Sequence, residues 1–124
     1  MKNGNTSVLI VDDQVIVRET TAQLLRLKGY EVVTEESGTA AVEYYRESWE
    51  SLDVVILDMN MPVMSGHEAL MAMRQINADV KALFYTGDNL DDRADEPLIE
   101  GPVSYIQKPF RNRDLIEKIN QVLS

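Results

Sequence analysis

A chain of 124 residues with no cysteine and a formal charge of −9 has room for one compact domain, and it excludes disulfide scaffolds and thiolate metal sites. At 44% hydrophobic and 27% charged it buries a core rather than staying disordered. No apolar run approaches the roughly 20 residues that span a membrane, Met1 to Asn5 lack the apolar centre of a signal peptide, and the acid excess argues against nucleic acid, which is gripped through basic stripes. A single cytoplasmic domain over 1–124, with a polar tail at about 1–5 and no effector following Ser124, is the expectation.

The first strand is Thr6 to Val11, and Asp12-Asp13 stand at its end. Gln14 to Lys28 carries Val17, Thr21, Leu24 and Leu25 at helical spacing, with Gly29 as its stop. Tyr30 to Thr34 is the second strand. Ser37-Gly38 opens a helix running to about Trp49. The third strand, Val54 to Leu57, ends on Asp58. A loop holding Pro62 leads to Ser65-Gly66-His67-Glu68, which begins a helix ending near Gln75. Ala82 to Tyr85 is the fourth strand, closed by Thr86-Gly87, and Val103 to Ile106 is the fifth, followed by Lys108-Pro109. The last helix, Asp114 to Leu123, shows Leu115, Ile116, Ile119, Val122 and Leu123 on one face.

Between the last two strands the pattern weakens. Asp91, Asp92, Asp95, Glu96 and Glu100 face only Arg93 there, and Pro97 breaks the helix due in that place. A short helix near Leu90 to Asp95 is expected, then irregular chain. Strands otherwise alternate with helices, which calls for a parallel sheet covered on both faces. Right-handed crossovers make that a doubly wound α/β three-layer sandwich.

Buried strands of such sheets read as continuous apolar runs, and their chemistry gathers beyond the carboxyl ends. Asp12, Asp13 and Asp58 therefore converge from two strand ends. Like charges that close raise one another's pKa, and a divalent cation relieves the repulsion. Oxygen-only ligands point to Mg²⁺ or Mn²⁺. Lys108 stands opposite as a clamp for an anion such as phosphoryl. Thr86 offers a hydroxyl, and Gly87 leaves a backbone N–H open to an approaching oxygen. These are the parts needed to transfer a phosphoryl group to an aspartate.

Val11-Asp12-Asp13, Leu57-Asp58-Met59-Asn60-Met61-Pro62, Ser65-Gly66, Tyr85-Thr86-Gly87 and Gln107-Lys108-Pro109-Phe110 occur in order across the chain. In these motifs the sequence resembles the response-regulator receiver domain, the CheY-like phosphoacceptor of two-component signalling, from Val8 to Leu123. The resemblance implies a five-stranded parallel (βα)5, flavodoxin-like sheet in the order 2-1-3-4-5. It also implies that Asp58 takes a phosphoryl group from a phosphohistidine on a sensor histidine kinase or a phosphotransfer domain. Asp13 and Asp58 would bind Mg²⁺ directly, Asp12 directly or through water, and Asn60 through its backbone carbonyl. Lys108 would hold a phosphoryl oxygen, next to a cis peptide with Pro109. Thr86 and Tyr105 would form the switch that reshapes the output face built from the fourth helix, the fifth strand and the last helix. On the acidic 88–100 stretch, a basic output partner is expected.

Blander roles compete for single residues. Asp12 or Asp13 also suits a helix N-cap, and a strand tyrosine such as Tyr105 is usually packing. His67 suits a helix surface, Trp49 a partly buried edge, and the methionines core or loop filling. Other functions also compete. An aspartate-based phosphohydrolase would want a general acid two residues after Asp58, where Asn60 stands. A phosphorylation-independent docking module is the alternative, as is a receiver cut from a hybrid kinase. A receiver is expected to catalyse only its own phosphorylation and dephosphorylation, so its output is conformational.

Overall fold

The structure is a computed structural model that describes residues 5–87 and 101–124. Five strands, β1 (Ser7–Val11), β2 (Glu31–Glu35), β3 (Val54–Asp58), β4 (Ala82–Thr86) and β5 (Val103–Gln107), form one sheet. Every neighbouring pair is parallel, and the order is β2-β1-β3-β4-β5, as expected. Four helices are described: α1 (Val15–Leu27), α2 (Gly38–Ser48), α3 (Gly66–Ile76) and α4 (Asn112–Leu123). The short helix expected near Leu90 to Asp95 and the acidic stretch around it lie outside the described residues.

Alternation along the strands divides the core in two. Leu9, Val11, Val55, Leu57, Ala82 and Phe84 pack with Ala41, Val42 and Tyr45 of α2 and with Ala69, Leu70 and Met73 of α3. Val8, Ile10, Val54, Ile56, Leu83, Tyr85 and Ile106 pack with Ala22 and Leu25 of α1 and with Leu115, Ile119 and Val122 of α4. Because side chains alternate with period two, odd and even positions of β1 serve different helix pairs. The middle strands β1, β3 and β4 are buried throughout. The outer strands β2 and β5 are only partly covered, so the Val103 to Ile106 run is an edge strand despite its apolar reading.

Local chemistry sets the element ends. Ser65 accepts the Glu68 N–H, and the Glu68 carboxylate accepts the Ser65 N–H, a reciprocal capping box on α3. Ser37 caps α2 by accepting from the Ala40 N–H at 3.1 Å. Gly29, at φ +96°, takes the left-handed turn that ends α1. Trp49 belongs to a single 3₁₀ turn after α2, half-buried against the α2–α3 side of the core. Met59, Met61 and Met73 are buried, and His67 is exposed.

Candidate functional site

The strand register brings the site together. Val11 pairs with Leu57 and Asp58 with Tyr85, so Asp12, Asp58 and Tyr85 lie in one row across β1, β3 and β4. All three continue the alternation of Ile10, Ile56 and Leu83, and so point toward the α1–α4 side. Lys108 follows Ile106 on that same side, just past the end of β5. Its backbone N–H donates to the Thr86 carbonyl at 2.7 Å, and its peptide bond to Pro109 is cis.

Asp12 is fully buried, Asp58 is nearly so, and Asp13 is exposed. One oxygen from each carboxylate lies within 4.8 Å of the others. Three oxygens at that spacing suit a hard divalent cation, and the exposed Asp13 leaves a route in from solvent. The convergence expected of these three residues is therefore present. Lys108 Nζ stands 4.0 Å from Asp12 Oδ2.

Asp58 Oδ1 accepts the Asn60 N–H at 3.1 Å. Burial pushes the Asp58 carboxyl up to about 6; the Asn60 N–H and the Lys108 charge pull it down, and Asp12 pushes it further up. This carboxylate carries its charge at a cost, and an added cation relieves it. Behind it, a Cβ at Gly66 would collide with the Asp58 carbonyl. Glycine there lets α3 start directly against the end of β3.

Asp12 is held on both oxygens. Oδ1 accepts the Gln14 N–H at 2.9 Å, and Oδ2 accepts the phenol proton of Tyr85. Neither aspartate caps α1. Its N-cap is Gln14, without a side-chain cap, because Asp12 has turned back into the crevice. The Asp12 carbonyl accepts instead from the Arg18 guanidinium at 2.9 Å.

Thr86 is fully buried on the opposite side of the sheet, and its hydroxyl accepts from Asn60 Nδ2 at 3.3 Å. Tyr105 is half-buried and stacks on Phe84 with ring centroids 5.4 Å apart. It packs with the α2–α3 side of the core, as Thr86 does by alternation. The two residues expected to act as a switch thus share one side of the sheet, while the carboxylates and Lys108 occupy the other. Among the described residues, no atom beyond its chain neighbours stands within 4 Å of a Cβ placed on Gly87.

Tyr85 is the site residue that motif reading passes over. It is 1% exposed, bonded to Asp12 and edge-on to Phe110 at 6.2 Å between centroids, with Lys108 Nζ 4.4 Å from its ring centre. Burial, its bond to Asp12 and the surrounding carboxylates all raise its pKa, so the phenol stays a neutral donor. The signal was available in the alternation: position 85 shares its parity with Leu83, on the side that ends in Asp12 and Asp58.

Known proteins resemble this chain along nearly its whole length. The family model described as the response regulator receiver domain matches residues 8–120. The chemotaxis protein CheY of Bacillus subtilis is 35% identical over 118 residues, covering 94% of this chain and 97% of that protein. A response regulator receiver domain protein from Clostridium thermocellum superposes with a TM-score of 0.86 at 32% identity, covering 95% of this chain and 94% of that one. CheY in the CheX–CheY–BeF₃–Mg²⁺ complex from Borrelia burgdorferi also gives a TM-score of 0.86, at 25% identity over 96% of this chain and 90% of its own. With a family model spanning almost all of the fold and a relative of matching length, the chain belongs to the response regulator receiver domain family, the phosphoacceptor modules of two-component signalling.

Proposed function

We propose that Asp58 is the phosphoacceptor of this receiver, taking a phosphoryl group from a phosphohistidine of a sensor kinase or a phosphotransfer domain. The observation that carries the reading is one cluster: a buried carboxylate at the end of β3, crowded by Asp12 and Asp13 within 4.8 Å, with an ammonium 4.0 Å from Asp12. Asp12, Asp13 and Asp58, with the Asn60 carbonyl, would hold a divalent cation, Mg²⁺ in the first instance and Mn²⁺ in its place. When bound, that cation offsets negative charge on the transferring phosphoryl oxygens. The CheY crystallised with Mg²⁺ and BeF₃ shows a relative holding such a pair.

The chain's own residues do the rest. The Asn60 N–H fixes Asp58 Oδ1, which directs Oδ2 toward the open side as the attacking oxygen. A new Oδ–P bond forms as the P–N bond to the donor imidazole breaks, and the imidazole leaves with that electron pair. Lys108 supplies a fixed positive charge for one phosphoryl oxygen. The Thr86 hydroxyl, now engaged by Asn60, turns to another, and Tyr105 follows beside it on the β5 edge. This changes the output face next to β5 and α4. Phosphorylation and its hydrolysis are the only reactions catalysed; the output is a change of binding surface. A cytoplasmic setting is consistent with this chemistry, and no described helix is long and apolar enough to cross a membrane. Whether this chain acts alone or inside a longer kinase, the phosphoacceptor chemistry is the same.

The test is intact mass after incubation with acetyl phosphate and Mg²⁺. One labile phosphoryl group is expected on the wild type. It should be absent from Asp58→Ala and from samples treated with a chelator. Uptake that survives in Asp58→Ala would move the acceptor elsewhere.

A further inference from the structure

Tyr85 touches both members of the loose Asp12–Lys108 ion pair at the phosphoacceptor site. Its hydroxyl donates to Asp12 Oδ2, the same oxygen that Lys108 Nζ approaches to 4.0 Å. The face of its ring lies 4.4 Å from that ammonium, near enough for cation–π attraction to hold the lysine in place. The other Asp12 oxygen is taken by the Gln14 N–H.

Consider the same site without the hydroxyl. Asp12 is fully buried, and Oδ2 would lose its neutral donor. The nearest replacement is Lys108, which needs to move only about 1 Å to make a charge-assisted hydrogen bond. That contact would neutralise one of the three clustered carboxylates and commit the ammonium to Asp12. Both the cation and the incoming phosphoryl oxygen would then meet a weaker partner. A neutral donor satisfies the buried oxygen without removing charge from the cluster, and this is what the phenol provides.

We propose that Tyr85 is a positioning residue of the phosphoacceptor site: it occupies Asp12 Oδ2 with a neutral donor and so keeps Lys108 off Asp12. The carboxylate cluster then presents its full charge to the divalent cation, and the ammonium stays available for phosphoryl oxygen. The inference rests on the assignment of Asp12, Asp13 and Asp58 as the cation site.

The experiment is calorimetric titration of the whole chain with Mg²⁺ alone, for wild type, Tyr85→Phe, Lys108→Met and the double variant. Phenylalanine fills the same space and keeps the ring. Tyr85→Phe should weaken Mg²⁺ binding about fivefold, the scale of one net hydrogen bond. In the Lys108→Met background the same change should move the affinity by less than about twofold, since no ammonium remains to close on Asp12. A merely structural role for Tyr85 would cost affinity in both backgrounds alike. The melting temperature of each variant is measured first, and all four titrations are run below the lowest of them. Wild-type affinity or tighter in Tyr85→Phe, or an equal loss in both backgrounds, would overturn the proposal alone. A wild type that binds no Mg²⁺ would overturn the cation-site assignment together with it.

Discussion

At the amino ends of the strands, Asp53 accepts the Ser7 N–H at 2.7 Å, Asn77 donates to the Tyr45 hydroxyl at 3.1 Å, and Lys81 reaches the Leu123 carbonyl at 3.2 Å. At the carboxyl ends, three carboxylates share 4.8 Å, and one ammonium stops 4.0 Å short of Asp12. The same sheet therefore carries polar groups in two states. At one end each has a partner within the protein, distant in the chain, and ties two elements together; at the other, charge is concentrated where ligands can complete it. Local rules broken at one place and obeyed elsewhere mark where a fold gives up stability for function.

That contrast is broken most severely by exchanging the roles of the two ends. Lys108→Ala should slow phosphoryl uptake from acetyl phosphate by about 100-fold or more at saturating Mg²⁺. Asp53→Ala, at the other end, should leave the rate within about twofold while costing roughly 1–3 kcal/mol in urea unfolding, because the Ser7 N–H loses its carboxylate. The mass-gain time course and the unfolding curve of each variant check the pair. Comparable rate losses in both would mean that the two ends are not separate.

The cost held at the site is measurable as pH dependence. Asp58 titrates at about 6 in the folded chain against an ordinary 3.8, so the folded state holds its proton over a range where the unfolded chain has released it. A raised acid contributes its stability below about pH 4, and that contribution is lost as pH rises through about 6. Asp58→Asn removes the loss. Without divalent cation it should be more stable than wild type by about 2 kcal/mol at pH 7.5, and the gain should vanish below about pH 4. Thermal or urea unfolding across that range measures it; a gain independent of pH would assign the effect to packing instead.

Mg²⁺ should act on the wild type in the same sense. At ten times its dissociation constant it should add about 1.4 kcal/mol of stability, and the gain should shrink in Asp58→Asn, whose side chain brings no charge. A chelator titration followed by melting temperature distinguishes the two.

The candidate site was legible because its residues stand where the strand runs stop: Asp12 follows Val8–Val11, Asp58 follows Val54–Leu57, Thr86 follows Ala82–Tyr85, and Lys108 comes two residues after Ile106. Such ends are local signals, and the fold class follows from the alternation of elements. The order of the strands is not local; it came from the resemblance, and the pairing bears it out. Tyr85 was legible only in part for the same reason: alternation gives its side of the sheet but not its partner. Its partner Asp12 is far away in the chain, and only the register across β1, β3 and β4 sets the two side by side. The α1 N-cap went to Gln14 rather than to an aspartate, since Asp12 is drawn into the cluster by Tyr85. Local propensity gave way to a contact that only the assembled sheet creates.

The finest comparison sets two tyrosine hydroxyls against each other. Tyr45 is 2% exposed and Tyr85 1%, and among the described residues each phenol meets a side chain: Asn77 donates to Tyr45, and Asp12 accepts from Tyr85. Asn77 also holds the turn after α3, where its side-chain Oδ1 accepts the Asp79 N–H at 3.1 Å. Tyr45→Phe should therefore cost about 1 kcal/mol of stability, read by urea unfolding, with Mg²⁺ affinity unchanged within about twofold. A Mg²⁺ affinity that fell with Tyr45→Phe as it should with Tyr85→Phe would mean that the sheet transmits disturbance from one end to the other. Loss of stability alone would mean that the amino end serves the fold and the carboxyl end serves the ligand, with the packed strands between them as a rigid insulator.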